Sequence, residues 1–245
     1  MNSPHMKSGR VFNLIYLGGF SFFIVKLLVT GGIASYVHPR FIPFLWAGAG
    51  LALLIIVCSQ LPRFSAHVPS LSWKKAVIPF IPLLLAFTVP PDASTITDDT
   101  SSIDSLQSND KHPEAVPEPV ARARASKSFS LDEAHFYMIL TDMYDSPSLY
   151  MGKKVRLTGI VFHKKNAGTR ECAVLRMMMT CCAADLQPVG LVCVLPPDTA
   201  LPQKAWVHAE GAISLRKDEH GEIPVLEAEK AEPCEKPAQE YIYPI

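Results

Sequence analysis

The sequence predicts a membrane-anchored α + β protein: three N-terminal transmembrane helices, then a small OB-like antiparallel β-barrel domain preceded by a helix. Three observations carry this expectation. The first is charge. The 245 residues hold 23 basic and 23 acidic side chains, but Met1 to Pro91 contains seven basic residues and no acid, leaving 16 against 23, net −7, for the remainder. The second is hydropathy, because the high hydrophobic fraction of 49% is concentrated in that same basic part. The third is a change of apolar period after Pro147, from helical to alternating. A single soluble globule and a wholly disordered chain are both excluded by this division. So is a multi-span transporter, since too few apolar residues follow the first third.

Three domains follow: residues 1–91 as the membrane region, 92–127 as an acidic linker and 128–245 as the barrel domain. Spans are expected near 11–30, 41–61 and 76–91. The first is interrupted only by Lys26, and the second has no charge. At ~1.5 Å per residue, twenty residues cross a hydrocarbon core of ~30 Å. Lys26 lies near the end of its span, where its ammonium can reach the headgroups. The third run is shorter and holds Pro79, Pro82, Pro90 and Pro91. It either crosses with local thinning of the bilayer or lies re-entrant or on the surface.

Lys7 and Arg10 before the first span, and Arg63, Lys74 and Lys75 after the second, outweigh Arg40 between them. The positive-inside rule then expects a multi-pass protein of the cell (inner) membrane with its C-terminal domain extracytoplasmic. Seven acids against Lys111 in residues 92–120, with little aliphatic bulk, read as a solvated tether.

In the third domain, Ser130-Leu131-Asp132-Glu133 matches a capping box, predicting a helix from there to about Asp145. Five short strands are expected at Val155–Phe162, Cys172–Thr180, Val189–Leu195, Ala205–Ile213 and Ile223–Glu229. Helix plus five strands suggests a small partly closed antiparallel barrel. Pro196 to Lys204 is too short for the helix an OB-fold places there, so the barrel is OB-like at best. Nucleic acid is not an expected partner. From Phe129 onward 12 basic residues face 16 acidic ones, where phosphate binding wants a basic groove with stacking aromatics.

Chemistry concentrates in the cysteines: Cys58 in the second span and Cys172, Cys181, Cys182, Cys193 and Cys234 in the last domain. Adjacent strand residues point to opposite faces. For Cys181 and Cys182 to serve one ion, the chain must therefore leave the strand, and the following Ala-Ala-Asp would bring Asp185 back as a carboxylate ligand. Two thiolates and a carboxylate suit Zn²⁺ with a further ligand or water. Disulfides to Cys172 or Cys193, and burial as small apolar thiols, are the alternatives. Met177, Met178 and Met179 offer thioethers to Cu(I), or simply core packing. A cysteine nucleophile would need a base, for which His163 and His208 are the candidates. No nucleophile elbow, phosphate loop or HExxH motif occurs, and no enzyme is expected.

Several pieces also resemble the YcgQ-type family of bacterial membrane proteins, described as permease subunits. They are the Tyr36-Val37-His38-Pro39-Arg40 loop, Gly152-Lys153-Lys154-Val155 through Gly159, Arg176 through Cys181-Cys182-Ala183-Ala184-Asp185, Ala205-Trp206-Val207 through Gly211, and Pro237 through Pro244. The resemblance implies a non-enzymatic accessory subunit beside a polytopic permease in the same membrane, in contact with membrane lipid and in settings linked to zinc. It tilts Cys181, Cys182 and Asp185 toward a metal site, zinc favoured, with no other cofactor. A thiol redox protein or enzyme using Cys181 and Cys182, or a purely structural anchor, are the other functions the residues allow.

Overall fold

The computed structural model describes residues 18–60, 116–163, 170–197, 199–218 and 221–244. The chain divides into two compact units, Met1–Asp92 and Ala93–Ile245.

In the first unit, helix α1 (Gly18–Thr30) is apolar but short. Gly31, at φ 75, then turns the chain into a 3-10 turn, Gly32–Ser35. A positive φ is cheap only for glycine, which has no Cβ to clash. His38 caps the next turn, Pro39–Phe41, its Nδ1 accepting the Arg40 N–H at 3.1 Å. Helix α2 (Ile42–Gln60) follows. It is apolar all round, and Phe44, Leu51, Leu54 and Val57 are exposed. That is the pattern of a helix whose solvent is lipid or another apolar surface.

Among the described residues the structure does not hold the three expected transmembrane helices. Among the described residues one segment, Pro39–Cys58, is long and apolar enough to cross a membrane. The first expected span is represented only by α1, its residues 11–17 lying outside the described residues. The third, 76–91, lies wholly outside them.

Among the described residues of the second unit the first element is helix α3 (Glu118–Ala125), inside the stretch expected to be tether. Strand β1 (Ser128–Leu131) and helix α4 (Phe136–Asp145) come next. The predicted capping box is not used: Ser130 lies in β1, and α4 starts five residues later than expected. There Asp132 Oδ1 accepts the His135 N–H at 2.9 Å. Helix α4 buries Phe136, Ile139, Leu140 and Met143, one face at helical spacing.

Strands β2 (Lys154–Phe162), β3 (Glu171–Met178), β4 (Gln187–Val194), β5 (Trp206–Asp218), β6 (Gly221–Pro233) and β7 (Tyr241–Ile242) complete a seven-stranded sheet, order β1-β2-β5-β6-β4-β3-β7. An additional β2–β3 pairing curls it back on itself. The expected antiparallel OB-like barrel is thus replaced by a mixed sheet, in which β1–β2, β3–β7 and β4–β6 run parallel. Alternating hydropathy marks a strand but carries no information on the direction of its neighbour. Strands β1 and β7, of four and two residues, are also too short for periodicity to show.

The main core gathers α4 residues with Val155, Leu157, Val161, Cys172, Val174, Leu191, Cys193, Val207 and Leu226. A second cluster holds Ile160, Phe162, Ala173 and Leu175 against Trp206. Where strands crowd, glycine is required. At Gly211 a Cβ would stand 2.0 Å from the Glu227 carbonyl oxygen, beside the β-bulge between Glu210 and Gly211.

Candidate metal centre

Strand β3 ends at Met178, and the cysteines follow outside it. A short 3-10 turn, Ala183–Asp185, reverses the chain before β4 begins. Asp185 closes that turn on the residues before it. Its Oδ1 accepts the Thr180 N–H at 2.9 Å, and its Oδ2 accepts those of Cys181 at 2.6 Å and Cys182 at 3.2 Å. Three donors converging on one carboxylate fold Thr180 to Asp185 into a rigid loop. The thiols then meet although they are adjacent in sequence: Cys181 Sγ lies 3.7 Å from Cys182 Sγ. One ligand atom from each of Cys181, Cys182 and Asp185 falls within 4.8 Å of the other two. Cys181 is exposed, and Cys182 and Asp185 are partly so.

The ground under this loop is a small cluster of its own. Met177, Met179 and Tyr241 are buried together, with Ala183, Leu186 and Tyr243 packed on them. Strand β7 supplies Tyr241 by pairing parallel with Met177 and Met178, and Tyr243 follows just beyond it. The Met179 N–H donates to the Ile242 carbonyl at 2.9 Å, carrying the pairing to the edge of the loop. Met177 and Met179 are therefore packing residues here, and Met178 belongs to the main core. Next to them Arg176 is buried, its guanidinium 5.1 Å from the Trp206 ring centroid. It also donates to the Gln239 carbonyl and lies 3.8 Å from Glu133. Burial lowers its pKa despite the nearby Glu133 carboxylate. Sequence reasoning saw none of this support. The one trace was the short run of large side chains Tyr241-Ile242-Tyr243 near the C-terminus.

Electrostatics of the loop follow from its hydrogen bonds. Desolvation raises the Asp185 pKa, but the Cys181 thiol and the three backbone N–H groups outweigh it and hold the carboxylate at about 2. The hydrogen bond to Asp185, then that to Cys182, pushes the Cys181 thiol up to about 11. A nucleophilic cysteine needs the opposite shift. An ion binding here must displace the thiol proton, so uptake releases protons.

The other candidates stand elsewhere. His163 Nε2 lies 2.8 Å from the Leu201 carbonyl, and His208 Nδ1 lies 2.7 Å from Thr158 Oγ1. Neither joins the cluster. All six cysteines are free thiols. Cys172 and Cys193 face each other across β3 and β4 in the main core. Cys172 is six strand residues, about 20 Å, from the end of β3, which puts the expected bridges to Cys181 or Cys182 out of reach.

Burial pushes the Cys172 thiol up to about 11 and that of Cys193 well above its ordinary value. Cys172 and Cys193 are also closed off in the main core, whereas Cys181 is exposed and Cys182 partly so. On that difference in access, a thiol-alkylating reagent is expected to label Cys181 and Cys182 in the native protein while sparing Cys172 and Cys193. Those two should react only after unfolding, as read by peptide mass spectrometry. Labelling of all four at similar rates would mean that the β3–β4 core opens readily.

No curated protein is similar enough to match the chain. Residues 12–102 match the family model described as the DUF1980 N-terminal domain, and residues 106–244 match the DUF1980 C-terminal domain. The boundary between the two falls close to that between the compact units. With both domains present in order over nearly its whole length, the chain belongs to the DUF1980 family.

Proposed function

We propose that this protein is a membrane-anchored accessory subunit whose β domain captures or senses a thiophilic divalent ion, zinc favoured, at Cys181, Cys182 and Asp185. The observation that carries this reading is the spacing of the donors. Two sulfurs bound to one tetrahedral zinc at about 2.3 Å stand about 3.8 Å apart, and Cys181 Sγ and Cys182 Sγ are 3.7 Å apart. The Asp185 carboxylate lies beside them. Its Oδ1 accepts a single backbone N–H and so keeps a lone pair, letting the carboxylate orient the loop and still meet an ion.

Helix α2 supports membrane anchoring by its length and composition. The permease as partner rests on the resemblance to the YcgQ-type family. In this reading the β domain lies on the extracytoplasmic side, and a reporter fused after Lys127 tests that side directly. Co-purification with a polytopic membrane protein tests the partner, and its absence from native membranes would sink the accessory role.

Zinc titration into the reduced, detergent-solubilised full chain tests the site. The expected result is 1:1 binding with proton release, abolished in Cys181→Ser/Cys182→Ser, whose thermal unfolding stays close to wild type because both side chains lie on the rim. Binding undiminished in the double variant would move the metal elsewhere.

A further inference from the structure

Resting on that metal reading, we propose that the loop holds its ion with one coordination position open to a donor from another molecule. The ion is then handed over by direct ligand exchange to a partner presenting thiolate or imidazole.

The donor set argues for it first. Structural zinc sites are closed by four protein ligands, whereas sites that exchange or activate a ligand keep a position free. Here the three donors come from a single turn, and among the described residues no further histidine, cysteine, aspartate or glutamate joins them. Donors drawn from five consecutive residues approach an ion from one side. Cys181 is exposed on the loop, so an incoming donor can reach such an ion from solvent.

The second argument is the condition of Asp185. Its carboxylate already accepts three backbone N–H bonds. These draw electron density from the oxygens and make it the weakest of the three donors. They do not depend on the ion, so the loop keeps its shape when the ion leaves. The small core of Met177, Met179 and Tyr241 beneath it likewise needs no metal. Exchange therefore requires no refolding, which would otherwise set a slow limit on hand-over.

In the step itself, a lone pair of the incoming thiolate or imidazole forms a bond to the divalent ion at the open position. The bond to the Asp185 oxygen breaks first. The two metal–sulfur bonds break as further acceptor donors bind, and each released thiolate takes a proton from water. The ion keeps its charge throughout, and no oxidant or reductant is involved.

The order of exchange is measurable. Zinc-loaded full chain in detergent is mixed in a stopped-flow instrument with the chromophoric chelator 4-(2-pyridylazo)resorcinol in excess. With an open position the rate of zinc removal rises in proportion, about tenfold for a tenfold rise in chelator. A rate independent of chelator would show a closed site that must lose its ion first, and would overturn the proposal while leaving the metal site intact. Cobalt loading gives a second measurement: imidazole should change the visible spectrum of an open site, and an unchanged spectrum would count against one. Failure of the chain to take up zinc at all is a different result, and it removes the metal reading itself.

Discussion

Gly190→Ala is expected to lower the thermal midpoint of the C-terminal unit by on the order of 10 °C. Gly190 lies in β4 opposite Leu175 of β3. A Cβ there would stand 2.1 Å from the Val174 carbonyl oxygen and 2.8 Å from the Leu175 Cα. Both obstacles are backbone, so no rotamer change relieves them, and the two strands must separate. Overpacking of this kind costs about 3 kcal/mol, at roughly 2–4 °C per kcal/mol for a unit of this size. Separation would also disturb the Tyr144 hydroxyl, which donates to the Gly190 carbonyl at 3.0 Å. Because β3 and β4 flank the cysteine loop, zinc affinity should fall along with stability. A variant that melts like wild type would mean the strands lie further apart than described.

Asp142→Ala should have a comparable effect by another route. Asp142 on α4 accepts two bonds from Arg124 of α3, at 2.8 and 2.5 Å, and one from the Tyr150 hydroxyl at 2.5 Å. Tyr150 is fully buried. Desolvation and then Asp142 raise its pKa, so it stays a hydrogen-bond donor. Removing the carboxylate strands a buried hydroxyl and a partly buried guanidinium together, at a cost of about 3 kcal/mol. Asp142→Asn keeps an acceptor and should lose about half as much. The first consequence is local, because α3 is held to α4 through this carboxylate. Trypsin should cleave after Arg122 and Arg124 in the alanine variant before global unfolding. Unchanged cleavage would mean that burial of Val120 and Ala123, with the Lys153 bonds to the Ala123 and Arg124 carbonyls, suffices to secure α3.

What depends on neighbours along the chain was legible in the residues alone. Alternating apolar residues located β2 to β6 to within a few residues, except that β5 and β6 run on as a longer hairpin than their hydropathy shows. Uninterrupted apolar composition marked α2. The change from strand to turn needed for Cys181 and Cys182 to share an ion was also legible, since adjacent residues on a strand face apart. The capping box misled because Ser130 and Glu133 have the right spacing for a helix start. Pairing of Phe129 with Val155 drew that segment into the sheet instead.

How distant segments meet was set by long-range contacts in the fold. Strand direction is settled by long-range pairing, which is why a mixed seven-stranded sheet stands where an antiparallel barrel was expected. Helix α3 sits in a stretch whose composition reads as tether, and it is held by Asp142, eighteen residues from Arg124, and by Lys153, which donates to the Ala123 and Arg124 carbonyls. The cysteine loop takes its rigidity from Asp185 and its footing from Tyr241, near the far end of the chain. Local pattern reports which face of an element is apolar. Which partner covers that face depends on contacts that no local window contains.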